Sequence, residues 1–268
     1  MDLSERLIVR PGRRFSLEDR DPGGTPGHKK SDVTPILDRN TARLAELQYL
    51  LYAENKRSLL IVLQAVDTAG KDGTIRHVMT GFNPQGCRVK PFKAPTAEEL
   101  DHDFLWRVHE AVPPKGEVGI FNRSHYEDVL VVRVHKLIPP SIWSKRYEQI
   151  NSFERHLAEN DVVILKFFLH ISKEEQRKRI RERIDDPKKR WKLSPADFEE
   201  RKYWNDYQAA YGDAIAKCST PWAPWFVIPA DKKWFRNLAV SQIIVESLES
   251  LKMKFPPPSF DLSKYRLR

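Results

Sequence analysis

Cysteine is nearly absent from this chain. Cys87 and Cys218 are the two among 268 residues, far apart and in no CxxC pair. That argues against a disulfide scaffold and against a zinc site built on thiolates. Long apolar runs are missing as well. No stretch approaches the roughly 18 apolar residues that a spanning helix needs, and the opening MDLSERLIVRPGRRFSLEDRD has no apolar h-region. No internal repeat and no low-complexity tract is present. The expectation is a soluble, cytoplasmic protein with no membrane partner.

What is abundant is positive charge. Lys and Arg number 46 against 37 Asp and Glu, a formal +9 with a pI of about 9.4. Such a surplus favours an anionic partner, whether nucleic acid, acidic membrane or a phosphate-rich substrate, although a merely solvated basic surface gives the same count. The hydrophobic content of 40% suffices for one large core.

Residues 1–32 read as a partly irregular N-terminal extension, basic at Arg10, Arg13 and Arg14 and then rich in Gly and Pro. A helical period begins at Val33, with Leu37, Leu44, Leu47 and Leu51 on one face. Leu59-Leu60-Ile61-Val62-Leu63 follows, a continuous apolar run suited to a strand buried on both sides. Further strands are predicted at 88–92 (at an edge, because of Pro91), 118–121, 162–169 and 225–228. Helices are predicted over 97–112, 140–157, 173–184, 195–217 and 233–251. Strands separated by helices imply an α/β fold: a parallel five-stranded sheet with helices on both faces. The main domain is expected over 33–254, and 255–268, with Pro256-Pro257-Pro258, forms a tail.

The first strand runs into Gln64-Ala65-Val66-Asp67-Thr68-Ala69-Gly70-Lys71-Asp72-Gly73-Thr74 and then a helix. A phosphate loop needs this context, because loop amides, a helix N-terminus and a lysine converge on one anion. Ala65 stands where the first glycine of GxxxxGK[ST] belongs, and Asp72 replaces the Ser/Thr, with a hydroxyl at Thr74 instead. An ordinary βα turn with an exposed lysine is the plainer alternative. It explains Asp67 least well, since a carboxylate in a phosphate loop repels the ligand unless a cation or proton intervenes. Asp67 is therefore a candidate magnesium ligand or base. Ala69, Gly70, Asp72, Gly73 and Thr74 are candidate phosphate contacts.

A second constellation, Phe121-Asn122-Arg123-Ser124-His125-Tyr126-Glu127-Asp128, closes the third predicted strand, where binding residues of open α/β sheets gather. Arg123 could stabilise charge on a transferring phosphoryl group, or pair with Glu127 or Asp128 on a solvated helix start. His125 reads as a local hydrogen-bonding residue. A third stretch, from Gln176 through Arg177, Arg179, Arg181 and Arg183 to Arg190-Trp191-Lys192, is too basic for all of it to pair internally; it suits a mobile lid over an anion, about residues 173–200, with a merely solvated charged face as the plainer alternative.

Taken together, these three segments resemble the second family of polyphosphate kinases, over about Leu37 to Leu251. The resemblance implies a P-loop kinase fold akin to thymidylate kinases, with a lid, in dimers or tetramers. It also implies reversible transfer between inorganic polyphosphate and nucleoside mono- or diphosphates, adenine or guanine, with magnesium (or manganese) as cofactor. Carried over by position, the catalytic residues are Asp67, Lys71, Arg123 and Arg179, with Asp67 on the metal. Asn122, where many members have aspartate, and Glu127, where many have asparagine, resemble the subgroup that phosphorylates AMP and ADP alike. Arg183 joins the substrate contacts, and Lys90, Lys93, Arg107 and Arg133 are candidates for a groove that tracks the polyphosphate. The rivals are an ATP-dependent nucleoside monophosphate or small-molecule kinase and a nucleic-acid-binding module. For the latter Trp191 and Trp204 lie near the basic run, but no recognition motif accompanies them, so no nucleic-acid partner is expected.

Overall fold

In the computed structural model, residues 3–265 are described; the first two residues of the N-terminal extension and the last three of the C-terminal tail lie outside the described residues. In chain order the helices are α1 (Leu3–Leu7), α2 (Val33–Glu54), α3 (Lys71–Val78), α4 (Ala97–Asp101), α5 (Trp106–His109), α6 (Glu127–Val134), α7 (Pro140–Glu159), α8 (Lys173–Asp185), α9 (Pro195–Glu199), α10 (Trp204–Cys218) and α11 (Lys233–Ser250). The strands are β1 (Ile8–Val9), β2 (Ser58–Gln64), β3 (Cys87–Pro91), β4 (Val118–Asn122), β5 (Val162–His170) and β6 (Trp225–Pro229).

They form one mixed sheet of six strands in the order β1-β6-β5-β2-β4-β3. This corrects the expected five-stranded, wholly parallel sheet. The five expected strands are parallel, and β1 adds an antiparallel edge, with Ile8 opposite Phe226 and Val9 opposite Trp225. Two residues are too few to show a period, so β1 leaves no trace in the apolar pattern. The strand predicted to lie at an edge does so: Pro91 ends β3, opposite Asn122 of β4.

Every residue of β2 is buried, which is why its sequence does not alternate. Covering each Leu, Ile or Val there stabilises the fold by roughly 1.5–3 kcal/mol. Helices α2, α3 and α11 pack together, α6, α7 and α10 pack together, and β5 touches both α7 and α11, which puts one helical layer on each face. α2 ends where Asn55 turns left-handed (φ 51°) and returns its N–H to Leu51 at 3.0 Å.

Two predicted helices are broken. The 97–112 helix stops at Asp101 because Asp103 accepts from the backbone of Leu105 at 2.9 Å, a local turn that competes with helix; it resumes for one turn as α5. The 195–217 helix tightens to 3-10 geometry over Glu200–Tyr203 between α9 and α10. The extension is anchored: Leu3, Leu7, Val9 and Leu17 are buried, and Pro22 accepts from Asp231 at 3.1 Å. No helix among the described residues is long and apolar enough to cross a membrane.

Candidate active site

The chain leaves β2 for β3 on one side of the sheet and leaves β4 for β5 on the other. Where connections diverge, the carboxyl ends of neighbouring strands open a crevice. The loop after β2 and the turn after β4 meet there. Asp67 and Arg123 form an ion pair across it at 2.6 Å. Arg123 holds a left-handed backbone (φ 64°), which kinks the chain as it leaves β4. A non-glycine residue in that conformation costs about 1–3 kcal/mol and persists only where its surroundings hold it. Here Leu63 accepts the Arg123 N–H at 3.1 Å, and Ser124 takes a hydrogen bond from Gln64 at 3.1 Å.

Lys71 opens α3 and donates to the Ala65 carbonyl at 3.0 Å, spanning its own loop. Burial pulls its pKa below the ordinary lysine value, an effect that Asp67 opposes. Arg123 is desolvated too, but Glu127 (3.5 Å away) and Asp67 outweigh that and hold its pKa above the usual value. Burial raises the carboxyl of Glu127 despite Arg123 and Lys71 beside it. Asn122 donates to Asp72 at 2.9 Å.

A cleft of about 580 Å³ separates this edge from the basic segment after α8. Asp67, Gly70, Lys71, Asp72, Gly73, Asn122 and Arg123 line one wall, and Arg183, Trp191, Lys192 and Asp197 line the other. A narrow cavity of about 30 Å³ continues inward to Glu127, Glu200, Trp204, Tyr207 and Tyr211. The structure thus gathers Asp67, Lys71, Arg123, Gly70, Asp72, Gly73, Asn122, Glu127 and Arg183. Thr74 is buried and donates to the Gly70 carbonyl at 3.1 Å, and Ala69 is buried within the loop.

Other expected residues sit elsewhere. Arg179 lines neither cavity. It is buried behind the loop, donating to the carbonyls of Ala69 (2.7 Å), Thr68 (3.3 Å), Ala230 (2.6 Å) and Asp231 (3.2 Å) and pairing with Glu175 at 2.7 Å. Arg133 is turned to Asp213 at 2.6 Å, between α6 and α10, and lines neither cavity. Arg107 is buried, pairing with Glu99 at 3.3 Å and donating to the Lys93 carbonyl at 2.9 Å. Lys90 and Lys93 are exposed and line neither cavity.

Sequence reasoning did not foresee three contacts that support the site, two of them on the loop. Gln176 donates to the Asp67 carbonyl at 3.1 Å. Arg236, buried on α11, reaches the Ala69 carbonyl at 3.4 Å, and burial beside Arg179 brings its pKa down to about 10. Gly70 has φ 106°, and a Cβ there would lie 2.0 Å from Arg236 Nη1, so the loop closes on this guanidinium only with glycine. The third group lies under the second motif. Lys166, in the middle of apolar β5, is fully buried and bonds Tyr126 Oη (2.8 Å), Glu154 and the Cys218 carbonyl (2.7 Å). Glu154 in turn holds His125 at 3.1 Å and Tyr126 at 3.0 Å. For Arg236 and Lys166 the signal was present: a charge at a core position of an apolar element is rarely unpartnered.

That cluster has an acid-stability consequence. Burial alone would raise the Glu154 carboxyl, but Lys166 and His125 outweigh it and hold its pKa low. A carboxyl depressed on folding stabilises fully above its unfolded value, near 4.3, and the contribution is lost as pH falls through the folded value. Wild type should therefore lose up to about 1.4 kcal/mol per pH unit from this group below the ordinary carboxylate range. The double variant Glu154→Gln/Lys166→Met should lack that part of the slope; urea melts across acid pH measure it.

The class so defined is an α/β protein with a polar, phosphate-suited cleft at the carboxyl edge of its sheet. The chain belongs to the polyphosphate kinase 2 family, whose model matches residues 28–256. It is 55% identical, over 95% of its length and 96% of the relative's, to an AMP/ADP-polyphosphate phosphotransferase of Meiothermus ruber. An ADP-polyphosphate phosphotransferase of Rhodopseudomonas palustris is 51% identical over 85% of this chain and 83% of the relative. The crystal structure of polyphosphate kinase 2 from Arthrobacter aurescens superposes with a TM-score of 0.95 at 47% identity, covering 98% of this chain and 95% of that one.

Proposed function

We propose that this protein transfers phosphoryl groups reversibly between inorganic polyphosphate and AMP or ADP. The observation that carries this reading is the meeting of Lys71, Arg123 and Asp67 where the loops after β2 and β4 converge. The relatives named for AMP/ADP and ADP acceptors support the substrates. In the forward step an acceptor phosphate oxygen attacks the terminal phosphorus of the chain, and the bond to the shortened polyphosphate breaks. Little covalent help is needed; positioning and charge neutralisation supply the acceleration. Lys71 and the α3 N-terminus hold the transferring group, and Arg123 takes charge on its equatorial oxygens. Arg179, Arg236 and Gln176 keep the loop in shape from behind.

The donors at the mouth suit magnesium. Asp67, Asp72 and Asn122 present oxygen there, Glu127 does so in the narrow cavity behind, and among the described residues no three His, Cys, Asp or Glu side chains form a cage of their own. This fits a cation held by one or two carboxylates together with substrate phosphates. Asp67 and Asp72 would hold it, and when bound it would neutralise phosphate charge during transfer. Asp67 must then share or release Arg123, so the pair at 2.6 Å is the resting arrangement. We read residues 33–254 as the kinase unit and 173–200 as the lid, in a cytoplasmic homo-oligomer.

Purified protein with magnesium, polyphosphate and AMP should yield ADP and then ATP, read by nucleotide chromatography. Turnover of AMP only when ATP is the donor would replace this reading with an ordinary monophosphate kinase. In the same assay Glu127→Asn should shift the ratio of AMP to ADP phosphorylation by about tenfold, the scale that one polar contact in a pocket commands. Equal losses on both acceptors would make Glu127 a generic contact.

A further inference from the structure

A second basic site lies outside the cleft. Arg6, Arg10, Arg13, Arg14 and Arg20 line a groove of about 200 Å³ beside the antiparallel edge of the sheet. One carboxylate, Glu5, joins them, and it pairs with Arg10. Arg20 donates to the Arg6 carbonyl at 3.3 Å and lies over the Phe15 ring at 5.7 Å. Arg6, Arg13 and Arg14 have no ion-pair partner among the described residues. So many guanidinium groups around one groove repel one another unless an anion lies between them.

The backbone holds them there regardless. Leu7, Val9 and Leu17, interspersed among the arginines, are buried, and His170 bonds the Arg20 carbonyl at 3.1 Å. The groove is therefore built on an anchored strap. Planar guanidinium forks match phosphate oxygens two at a time, and a row of them suits a repeated phosphate. Phe15 and Arg20 also border a larger groove of about 620 Å³, which reaches Lys173 and Trp204. Trp204 in turn borders the narrow cavity at Asp67. The arginine groove, the larger groove and the cavity at Asp67 are thus successive neighbours, meeting at Phe15 and Arg20 and then at Trp204.

We propose that the groove formed by Arg6, Arg10, Arg13, Arg14 and Arg20 binds a distal stretch of the polyphosphate chain whose end reacts at Lys71, so that the enzyme favours long donors. This rests on the proposed function for its occupant, and binding alone can test it. The variant Arg6→Gln/Arg10→Gln/Arg13→Gln/Arg14→Gln changes exposed side chains only. Its binding of end-labelled long-chain polyphosphate should weaken about tenfold or more, with a shallower salt dependence, by the counterion logic of polyanion binding. Tripolyphosphate, too short to span both sites, should bind as in wild type, and the acceptor Michaelis constant, kcat at saturating long-chain donor and melting temperature should stay unchanged. Unchanged affinity for the long chain, or equal losses for long chain and tripolyphosphate, would overturn the proposal. So would lost duplex-DNA binding with polyphosphate binding intact, which would assign the groove to nucleic acid. Failure of the functional reading shows separately, as absent phosphoryl transfer by wild type in the same buffer.

Discussion

Asp67→Asn should lower kcat by about two to three orders of magnitude while the protein stays folded, the scale seen when one preorganised electrostatic group is removed from a transition state. Asparagine occupies nearly the same volume, so the loop after β2 is not forced to move. The ion pair with Arg123 at 2.6 Å is half-exposed, and losing such a pair costs no more than about 1 kcal/mol of stability. Turnover is another matter. The variant lacks a negative oxygen for the cation that accompanies the phosphates, and Arg123 keeps Glu127, at 3.5 Å, as its one ion-pair partner among the described residues. Both losses fall on the step in which charge spreads over the transferring group, so kcat falls and the magnesium requirement rises. The checks are kcat at saturating donor and acceptor, a magnesium titration and a thermal melt. Near-normal turnover with an unchanged magnesium requirement would remove Asp67 from the metal and from the chemistry.

The parts of this molecule legible in its sequence are those where one kind of residue has one use. The run Leu59–Leu63 suited a doubly covered strand, and the loop and helix after it followed. Asp67 and Arg123, separated by 56 positions, were each suspect, the first as a carboxylate inside a phosphate loop and the second as a cation at the carboxyl end of a strand. Their direct pairing was not foreseen, because it depends on the left-handed kink at Arg123 and on β2 lying beside β4. Charge was the harder quantity to read. Arg107, Arg133 and Arg179 look like free cations in a string of letters, yet each is paired in the fold. Lys166 and Arg236 were passed over for the converse reason, since a single charge inside an apolar element reads as a blemish in the pattern. Only the third dimension supplies Glu154 for the one and the loop carbonyl for the other.

Arg179 is where the two levels differ most, and the difference can be measured. Resemblance put it on the transferring phosphoryl group; the structure puts it behind the loop, its donors spent on four carbonyls and Glu175. Arg179→Met keeps much of the volume but leaves Glu175 only the longer pair with Lys178, at 3.8 Å, and leaves those carbonyls short of donors. Removing one partner of a buried pair costs on the order of 3–5 kcal/mol. For a chain of this size that is a fall in melting temperature on the order of 10 °C. One relief is built in: Arg236 loses a neighbouring like charge, so its pKa, brought down to about 10 first by burial and then by Arg179, should recover in part. Arg179→Lys should rescue little, because one ammonium cannot replace a planar fork that serves Ala69 with one nitrogen and Ala230 with another. Turnover should fall in both variants, since the amides facing the phosphate belong to the loop that Arg179 holds. A melting temperature equal to wild type with kcat collapsed would instead mean that Arg179 leaves its carbonyls during the reaction and acts on the phosphoryl group itself.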